Sequence, residues 1–261
     1  MGTVQASVGT VVVVDDASPC TFDHELSEVL RQPGVVGRRF THNAGIARSL
    51  NAGLAEAIVQ GSRWLLTLDQ DSRISATYVQ DLLDDLQRAE AVGLRVGVIA
   101  PQSIKDRRGT IEYPVSRKRG WPVTEELLQS GALWSVGLLE EVGGFDEGLA
   151  MDGVDAAACL SIRERGYDVV LSPRAQLQHE WGDAQYLSLL GRTVVATGHS
   201  STRRANIVRN RLRLFPREFR QSPKHALRTL RRVAISNLLA VSTHRASGDE
   251  TSANDRTDSS G

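Results

Sequence analysis

The chain has 261 residues, and its 31 basic and 31 acidic side chains give a formal net charge of zero. Hydrophobic residues make up 41% and charged residues 24%, which is ordinary for a soluble globular protein and allows one large domain or two small ones. No apolar run is long enough to cross a bilayer, and the first residues lack the pattern of a signal peptide. The two cysteines, Cys20 and Cys159, lie far apart, which argues against a disulfide framework or a zinc knuckle and favours the cytoplasm.

Predicted strands and helices alternate through the first part of the chain. The strands are predicted at 10–16, 35–41, 63–69 and 95–101, and the helices at 23–32, 43–61 and about 75–89. The valine run at 10–16 is typical of a fully buried, central, parallel strand, and Asn43 is the predicted N-cap of its helix. This alternation predicts an α/β sandwich around a mostly parallel sheet, in which ligands bind beyond the carboxyl ends of the strands.

The second part of the chain has a less regular pattern. A loop or short hairpin is predicted at 103–129, strands at 130–136, 168–173 and 175–180, and helices at 137–147 and 154–167. Beyond His199 the chain is predicted to be helical and basic. We therefore expect one domain over 1–200, a basic amphipathic helical segment over 201–245, and a disordered polar tail over 246–261.

Carboxylates follow two of the predicted strands. Asp69 and Asp71 lie in the stretch WLLTLDQDSR, and Asp15 and Asp16 follow the valine run. Two acids separated by one residue repel each other and resist desolvation, so a cation or water is expected beside Asp69 and Asp71.

Six motifs occur in an order that is typical of one protein family. They are VVVVDDASP, NAGIARSLNAGLAEAI, LLTLDQDS, SGALWSVGLLEEVGGFDEGLAMDGVD, CLSIRERGY and LQHEWGD. Together they resemble the inverting family 2 glycosyltransferases of GT-A fold, and the DQDS form with the later HSSTRRANIVRN resembles the rhamnosyltransferase branch. The resemblance covers about residues 10–215 and implies that 1–200 is a GT-A catalytic domain, a three-layer sandwich of the nucleotide-diphospho-sugar transferase type. The family normally begins with a further strand and helix, so this first strand is expected to be missing here.

The resemblance implies a Mg²⁺ or Mn²⁺ site at the acid pair. Asp71 is the expected direct ligand, His179 completes the site, and Asp69 reaches the ribose or a metal-bound water. The alternative is that Asp69 caps the next helix, Asp71 is a solvated turn residue, and His179 is a strand-end histidine beside Trp181.

The resemblance also assigns the base, the donor pocket and the acceptor side. Asp155 is the expected base with Asp152 as its substitute, although an aspartate at a helix N-terminus also stabilises the helix. Ser130 and Gly131 are expected on the acceptor side. The expected donor-binding residues are Asp15, Asp16, Asn43, Gly45, Arg48, Asn51 and Asp69. For the four residues from Asn43 to Asn51 in this set, helix capping and packing are the alternative.

The basic segment carries eleven arginines and lysines between Arg203 and Arg232 against Glu218 alone. A basic amphipathic helix is typical of the surface of an anionic membrane, and a solvated helix packed on the sheet is the alternative. Nucleic-acid binding is not expected, because aromatic residues are not expected to interleave with the arginines.

These patterns predict a cytoplasmic, metal-dependent, inverting glycosyltransferase, peripheral at the inner face of the plasma membrane. We expect it to transfer rhamnose from dTDP-rhamnose, or another sugar from a dTDP- or UDP-sugar, to a surface polysaccharide or a lipid-linked saccharide. The alternative is an N-terminally truncated, catalytically weak GT-A domain that only binds a nucleotide sugar or a partner. A nucleotidyltransferase is disfavoured, since no Gly-rich basic loop follows the first predicted strand.

Overall fold

The computed structural model describes residues 5, 7–106, 109–149, 151–179, 184–189, 192–197 and 201–237. The predicted tail 246–261 and residues 238–245 of the predicted basic segment lie outside these residues. The chain divides into two compact units, Met1–Glu180 and Trp181–Gly261, whereas the sequence pattern placed a domain boundary at residue 200.

The first unit contains five α-helices and ten strands among its described residues. The helices are α1 (Asp23–Leu30), α2 (Ile46–Val59), α3 (Tyr78–Ala91), α4 (Val136–Glu141) and α5 (Val154–Glu164). The strands are β1 (Val11–Asp15), β2 (Val35–Arg39), β3 (Trp64–Thr67), β4 (Ser72–Ile74), β5 (Val96–Asp106), β6 (Gly109–Glu112), β7 (Ser116–Lys118), β8 (Trp121–Val123), β9 (Ala132–Ser135) and β10 (Asp168–His179). The predicted alternation of strands and helices up to β5 is confirmed.

The main sheet has eight strands and is mixed. Its order is β3-β9-β5-β10-β8-β7, with β4 paired to β10 and β6 paired to β5. Within this sheet only β5 and β10 are a parallel pair, so the prediction of a mostly parallel sheet is wrong. Parallel neighbours need long crossover connections, and the short turn between β7 and β8 can only join antiparallel strands.

The strands β1 and β2 form a separate parallel sheet of two strands. The four valines of β1 are only half-buried, so the prediction of a central, fully buried strand is wrong. The Val11 N–H donates to Gly34 O at 2.9 Å, and the Asp15 carbonyl accepts from Phe40 N–H at 2.9 Å. Val12 and Val14 therefore direct their backbone N–H and C=O groups away from β2. At that edge of β1, the described part of the chain supplies no strand partner.

The core of the first unit lies between α3 and the main sheet. Tyr78 and Leu82 of α3 are fully buried, and they lie in one cluster with Ile99 of β5 and with Val170 and Leu177 of β10. Burial of these large side chains holds α3 against β5 and β10, and β10 is the strand that ends at His179.

A buried acid stabilises an irregular stretch of β10. Asp85 of α3 is 1% exposed and accepts hydrogen bonds from the Ser172 hydroxyl at 2.6 Å and from Arg174 Nε at 2.7 Å. The register of β10 against β5 shifts between Ser172 and Gln176. The prediction of two separate strands at 168–180 is therefore wrong, because one strand continues through the irregularity to His179.

The start of α2 is capped from a distant part of the chain. The helix begins at Ile46 with Gly45 at the N-cap position, so the prediction that Asn43 caps it is wrong. The carboxylate of Asp16 accepts hydrogen bonds from the N–H groups of Ala44 at 2.6 Å and Gly45 at 2.9 Å. Asp16 thus ties the carboxyl end of β1 to the N-terminus of α2, where a negative charge is favourable.

The second unit is described over two short strands and two helices. The strands β11 (Ala184–Leu189) and β12 (Arg192–Thr197) form an antiparallel hairpin that the sequence pattern did not predict. The helices α6 (Ser201–Gln221) and α7 (223–237) confirm the predicted helical character beyond His199. Over the described residues, no helix combines the length and the apolar character that a membrane span requires.

Asn51 of α2 connects its helix to the turn after α4. Its Nδ2 donates to Phe145 O at 2.9 Å and to Glu147 Oε1 at 2.9 Å, and its Oδ1 accepts from Phe145 N–H at 2.8 Å. The amide expected to contact the donor is thus occupied by the protein itself.

We expect Asn51→Ala to lower the free energy of unfolding by about 2 kcal/mol, because it leaves the Phe145 backbone groups without these partners. The matched control is Asn43→Ala on the exposed turn before the same helix, which should change stability by less than about 0.5 kcal/mol. Urea unfolding of both variants measures the difference, and equal losses would contradict the connecting role of Asn51.

Candidate active site

The two predicted metal ligands lie at neighbouring backbone positions. Asp71 is exposed in the turn between β3 and β4, and the Ser72 N–H donates to Asp69 O at 3.1 Å to close that turn. The antiparallel pairing of β4 with β10 places Ser72 opposite His179. Two segments separated by about a hundred residues therefore meet beside Asp71.

The segment 129–131 packs beneath the acid pair. The Gln129 side-chain amide donates to Asp69 Oδ1, and the Ser130 hydroxyl accepts from the Asp69 N–H at 3.0 Å. The same hydroxyl is 2.7 Å from the hydroxyl of Ser72. Ser130 is only 3% exposed and lies under the turn, and its expected place on the acceptor side stays a prediction. These contacts hold the Asp69 carboxylate and the backbone before Asp71 in one arrangement.

Gly131 occupies a position that only glycine can take without strain. Its φ is +82°, and a Cβ atom there would lie 2.6 Å from the hydroxyl oxygen of Tyr78. That hydroxyl donates to Gly131 O at 2.7 Å, and the Gly131 N–H donates to Thr67 O at 2.7 Å. Burial raises the pKa of Tyr78, so its hydroxyl stays protonated as a donor. Gly131 therefore packs closely beneath the acid pair, and the expectation that small residues here let a sugar approach stays a prediction.

The carboxyl end of β1 carries an ionised, buried aspartate. Asp15 is 7% exposed, its Oδ1 accepts from the Ser18 N–H at 3.1 Å, and its Oδ2 lies 2.9 Å from Arg39 Nε. The hydrogen bonding from Ser18, and secondarily the charge of Arg39, lower the pKa of Asp15 despite the opposing effect of burial. Asp15 therefore stays charged at neutral pH.

An open depression lies beside this end of β1. Its lining residues are Ala17, Ser18, Arg39, Phe40 and Thr41. The guanidinium carbon of the exposed Arg48 lies 5.4 Å from the centre of the Phe40 ring. Arg48 thus presents a cation close to the depression, at the N-terminal part of α2.

The predicted base lies at the start of α5. Gly153 is the N-cap residue in a left-handed conformation, and Asp155 is half-buried in the first turn with its Oδ1 2.8 Å from the Ala156 N–H. Burial, and to a smaller extent the charge of Asp155, raise the pKa of Tyr113 and of Cys159. The negative charge of Asp155 therefore helps to keep both side chains neutral. Asp152, the substitute base, lies half-buried in the turn before the helix.

The candidate residues form three groups, each with its own supporting contacts. The first is the end of β1 with the start of α2, the second is the acid pair with 129–131 and His179, and the third is the start of α5. Sequence reasoning missed Gln129, Ser72 and Tyr78 as supports of the acid pair. The only signal was that Gln129 directly precedes the SGA motif, and a single sequence does not show its long-range hydrogen bond to Asp69.

The family model of glycosyl transferase family 2 matches residues 8–132, which include the end of β1, the start of α2 and the acid pair. Residues 8–132 of the chain therefore belong to glycosyl transferase family 2. The chain is 27% identical over 215 residues to the dTDP-rhamnosyl transferase RfbF of Shigella flexneri, and the match covers 77% of this chain and 68% of RfbF. It is 30% identical over 146 residues to the uncharacterised protein Rv1525 of Mycobacterium tuberculosis, and this match covers 52% of this chain and 54% of Rv1525.

Two solved structures share the fold of this chain. GalNAc-T7, crystallised with UDP, GalNAc and Mn²⁺, matches with a TM-score of 0.56 and 15% identity over 77% of this chain and 41% of GalNAc-T7. Residues 1–349 of Staphylococcus aureus TarS in complex with UDP match with a TM-score of 0.52 and 16% identity, over 85% of this chain and 60% of that one. Both are GT-A glycosyltransferases, so the α/β fold of this chain is of GT-A type.

We expect Gly131→Ala to lower the free energy of unfolding by about 1 to 3 kcal/mol, since it forces a side chain into a left-handed backbone conformation against Tyr78. Gly137 in α4 is the matched control, because a Cβ atom there meets nothing within 4 Å. Gly137→Ala should leave stability unchanged or raise it by up to about 1 kcal/mol. Thermal unfolding of both variants measures the contrast, and a neutral Gly131→Ala would rule out the close packing under the acid pair.

Proposed function

We propose that this family 2 protein is a metal-dependent inverting glycosyltransferase that transfers rhamnose from dTDP-rhamnose. The acceptor is a surface polysaccharide or a lipid-linked saccharide. The sugar assignment is supported by the similarity to RfbF and by the DQDS form of the acid pair. The observation that carries the mechanism is the β4–β10 pairing, which places Ser72 opposite His179 and thus brings Asp71 and His179 to adjacent backbone positions.

The residues at this position fit a hard divalent cation. Carboxylate oxygens are the ligands that Mg²⁺ and Mn²⁺ prefer, and an imidazole is an acceptable ligand for Mn²⁺. Asp71 and His179 would hold the ion, while Asp69, oriented by Gln129, would contact the ribose or a metal-bound water. When bound, the ion would neutralise the negative charge that gathers on the departing diphosphate.

The donor nucleotide would bind at the end of β1 and the start of α2. Asp15 and Asp16 are ordered by protein contacts, so they would shape this end of the pocket around the base and ribose. Gly45 would allow close approach of the backbone, and Arg48 would pair with a phosphate. Asn43 lies exposed in the same turn.

Asp155 would remove the proton of the acceptor hydroxyl. As the acceptor oxygen bonds to the anomeric carbon, the bond from that carbon to the phosphate oxygen breaks and the proton passes to the Asp155 carboxylate. Asp155 lies in the first turn of α5, where a negatively charged side chain is favourable. Asp152, in the preceding turn, is the substitute.

A protein that only binds nucleotide sugar is a second candidate. The separate β1–β2 sheet favours it, because the nucleotide end of the pocket then depends on two strands that the main sheet does not pair with. Turnover separates the two candidates, since both would bind the donor.

The first test of the function is a panel of nucleotide sugars, with and without Mn²⁺, measured by thermal unfolding. A true donor raises the unfolding midpoint by ligand linkage, and only in the presence of the metal. We expect the largest shift with dTDP-rhamnose, and no shift with any nucleotide sugar would reject both candidates.

For the metal site, we expect Asp71→Asn to abolish the Mn²⁺-dependent part of that stabilisation and to lower sugar transfer at least about 100-fold, because a neutral amide binds the cation weakly. Glu140→Gln, at an exposed position of α4, removes one negative charge elsewhere and should change neither quantity. Unchanged transfer by Asp71→Asn in metal-replete buffer would reject the site.

For the base, Asp155→Asn should keep donor binding and lower transfer by about 10²- to 10⁴-fold, because an amide cannot take up the proton. Calorimetry with dTDP and Mn²⁺ measures the binding, and a transfer assay measures the loss. If Asp155→Asn retains transfer and Asp152→Asn loses it, the base is Asp152.

A further inference from the structure

The helices α6 and α7 expose many cations and no acid over residues 202–237. The single acid of this segment, Glu218, is 4% exposed and lies 3.2 Å from Arg211. The exposed cations are Arg209, Arg213, Arg220, Lys224, Arg228, Arg231 and Arg232. The whole chain has a formal net charge of zero. The excess of cations in this segment is therefore matched by an equal excess of acids in the rest of the chain.

Large apolar side chains are exposed among these cations. Leu212 and Phe219 of α6 are 53% and 44% exposed, and Leu227 and Ile235 of α7 are 54% and 38% exposed. The spacings of seven and eight residues place each pair on one side of its helix. We call these exposed cations and apolar side chains of α6 and α7 the basic–apolar face.

We propose that the basic–apolar face docks on a membrane that contains anionic phospholipids. Arginine and lysine reach lipid phosphates while their aliphatic stems and the neighbouring leucine, isoleucine and phenylalanine side chains enter the boundary between headgroups and acyl chains. Attraction acts over about 10 Å at 0.1 M salt, so the local positive charge decides the contact although the whole chain is neutral.

Nucleic acid is the competing partner for a cationic surface. Phe215 and Phe219 lie among the arginines with ring centres 5.6 Å apart, so our expectation that aromatic residues do not occur among them is wrong. Base stacking uses aromatic faces, however, and gives no reason to expose Leu212, Leu227 and Ile235. The aliphatic side chains therefore favour lipid over nucleic acid.

The docking proposal does not rest on the transferase activity. It concerns a surface of the second unit, and lipid binding is measured without any sugar. If both proposals hold, docking would bring the protein to a lipid-linked acceptor.

The test is co-sedimentation of the full chain with vesicles of phosphatidylcholine alone or with about 30% phosphatidylglycerol. We expect binding to the anionic vesicles only, and weaker binding at about 0.5 M salt. Short duplex DNA is assayed in parallel. No binding to the anionic vesicles, equal binding to both kinds of vesicle, or binding to DNA alone would overturn the proposal.

Two variants assign the binding to the basic–apolar face. Arg228→Gln with Arg231→Gln should lower the partition onto anionic vesicles by about 30-fold, or about fivefold for each cation. Leu227→Gln should lower it by about tenfold with all charges retained, because it removes apolar area from the contact.

The matched control removes two exposed cations of the first unit, with Arg31→Gln and Arg63→Gln. It gives the same net charge as the double variant and should bind as the unaltered chain does. Equal losses in the control and the double variant would mean that net charge, and not the basic–apolar face, drives the binding, and would overturn the proposal. Circular dichroism of each variant confirms that the helices are intact.

Discussion

The pairing of β4 with the end of β10 is the constraint on which the candidate active site depends. A three-residue strand pairs there with the last residues of a long one, and Ser72 lies opposite His179. Two carboxylates in one short turn repel each other, and Asp69 is stabilised by the amide of Gln129 while Asp71 lies exposed. The two acids of the turn therefore differ in exposure, since Asp69 is half-buried and Asp71 is exposed.

A buried polar contact lies in the middle of the same strand, just before the residues that pair with β4. Asp85 accepts hydrogen bonds from Ser172 and Arg174 where β10 loses its regular register. A buried carboxylate is costly without such partners, so this contact is favourable only when β10 takes the observed path. The path then sets which residue of β10 lies opposite Ser72.

Local patterns in the sequence predicted the strands and helices up to β5 but not the partners of the strands. The valine run of β1 shows the side-chain preference of a buried strand, yet burial depends on neighbours that the pattern does not specify, and the run is half-buried in a two-stranded sheet. The mixed order of the main sheet was not predicted for the same reason. The strand β9, from a distant part of the chain, lies between β3 and β5.

The candidate site was predictable as a set of residue types and less so as a set of roles. The acid pair and His179 were singled out by the resemblance to a known family, their role as metal ligands stays a prediction, and the ladder brings their backbone positions together. Asp16 and Asn51 were expected at the donor, whereas the first caps α2 across 28 residues of sequence and the second bonds the backbone of Phe145. Long-range hydrogen bonds of this kind have no signature in a single sequence.

These protein contacts change how the chain would recognise a nucleotide. A carboxylate or amide that is already bonded to the protein backbone adds little further hydrogen-bonding energy when a ligand arrives, but it fixes the shape of the pocket without a loss of entropy on binding. With Asp15, Asp16 and Asn51 in that role, the energy of donor binding would come mainly from charge, through Arg48 and the cation at Asp71. Under the proposed function, such a pocket would discriminate strongly for the diphosphate that all nucleotide sugars share. It would leave the choice of sugar to the segments around the acid pair and the start of α5.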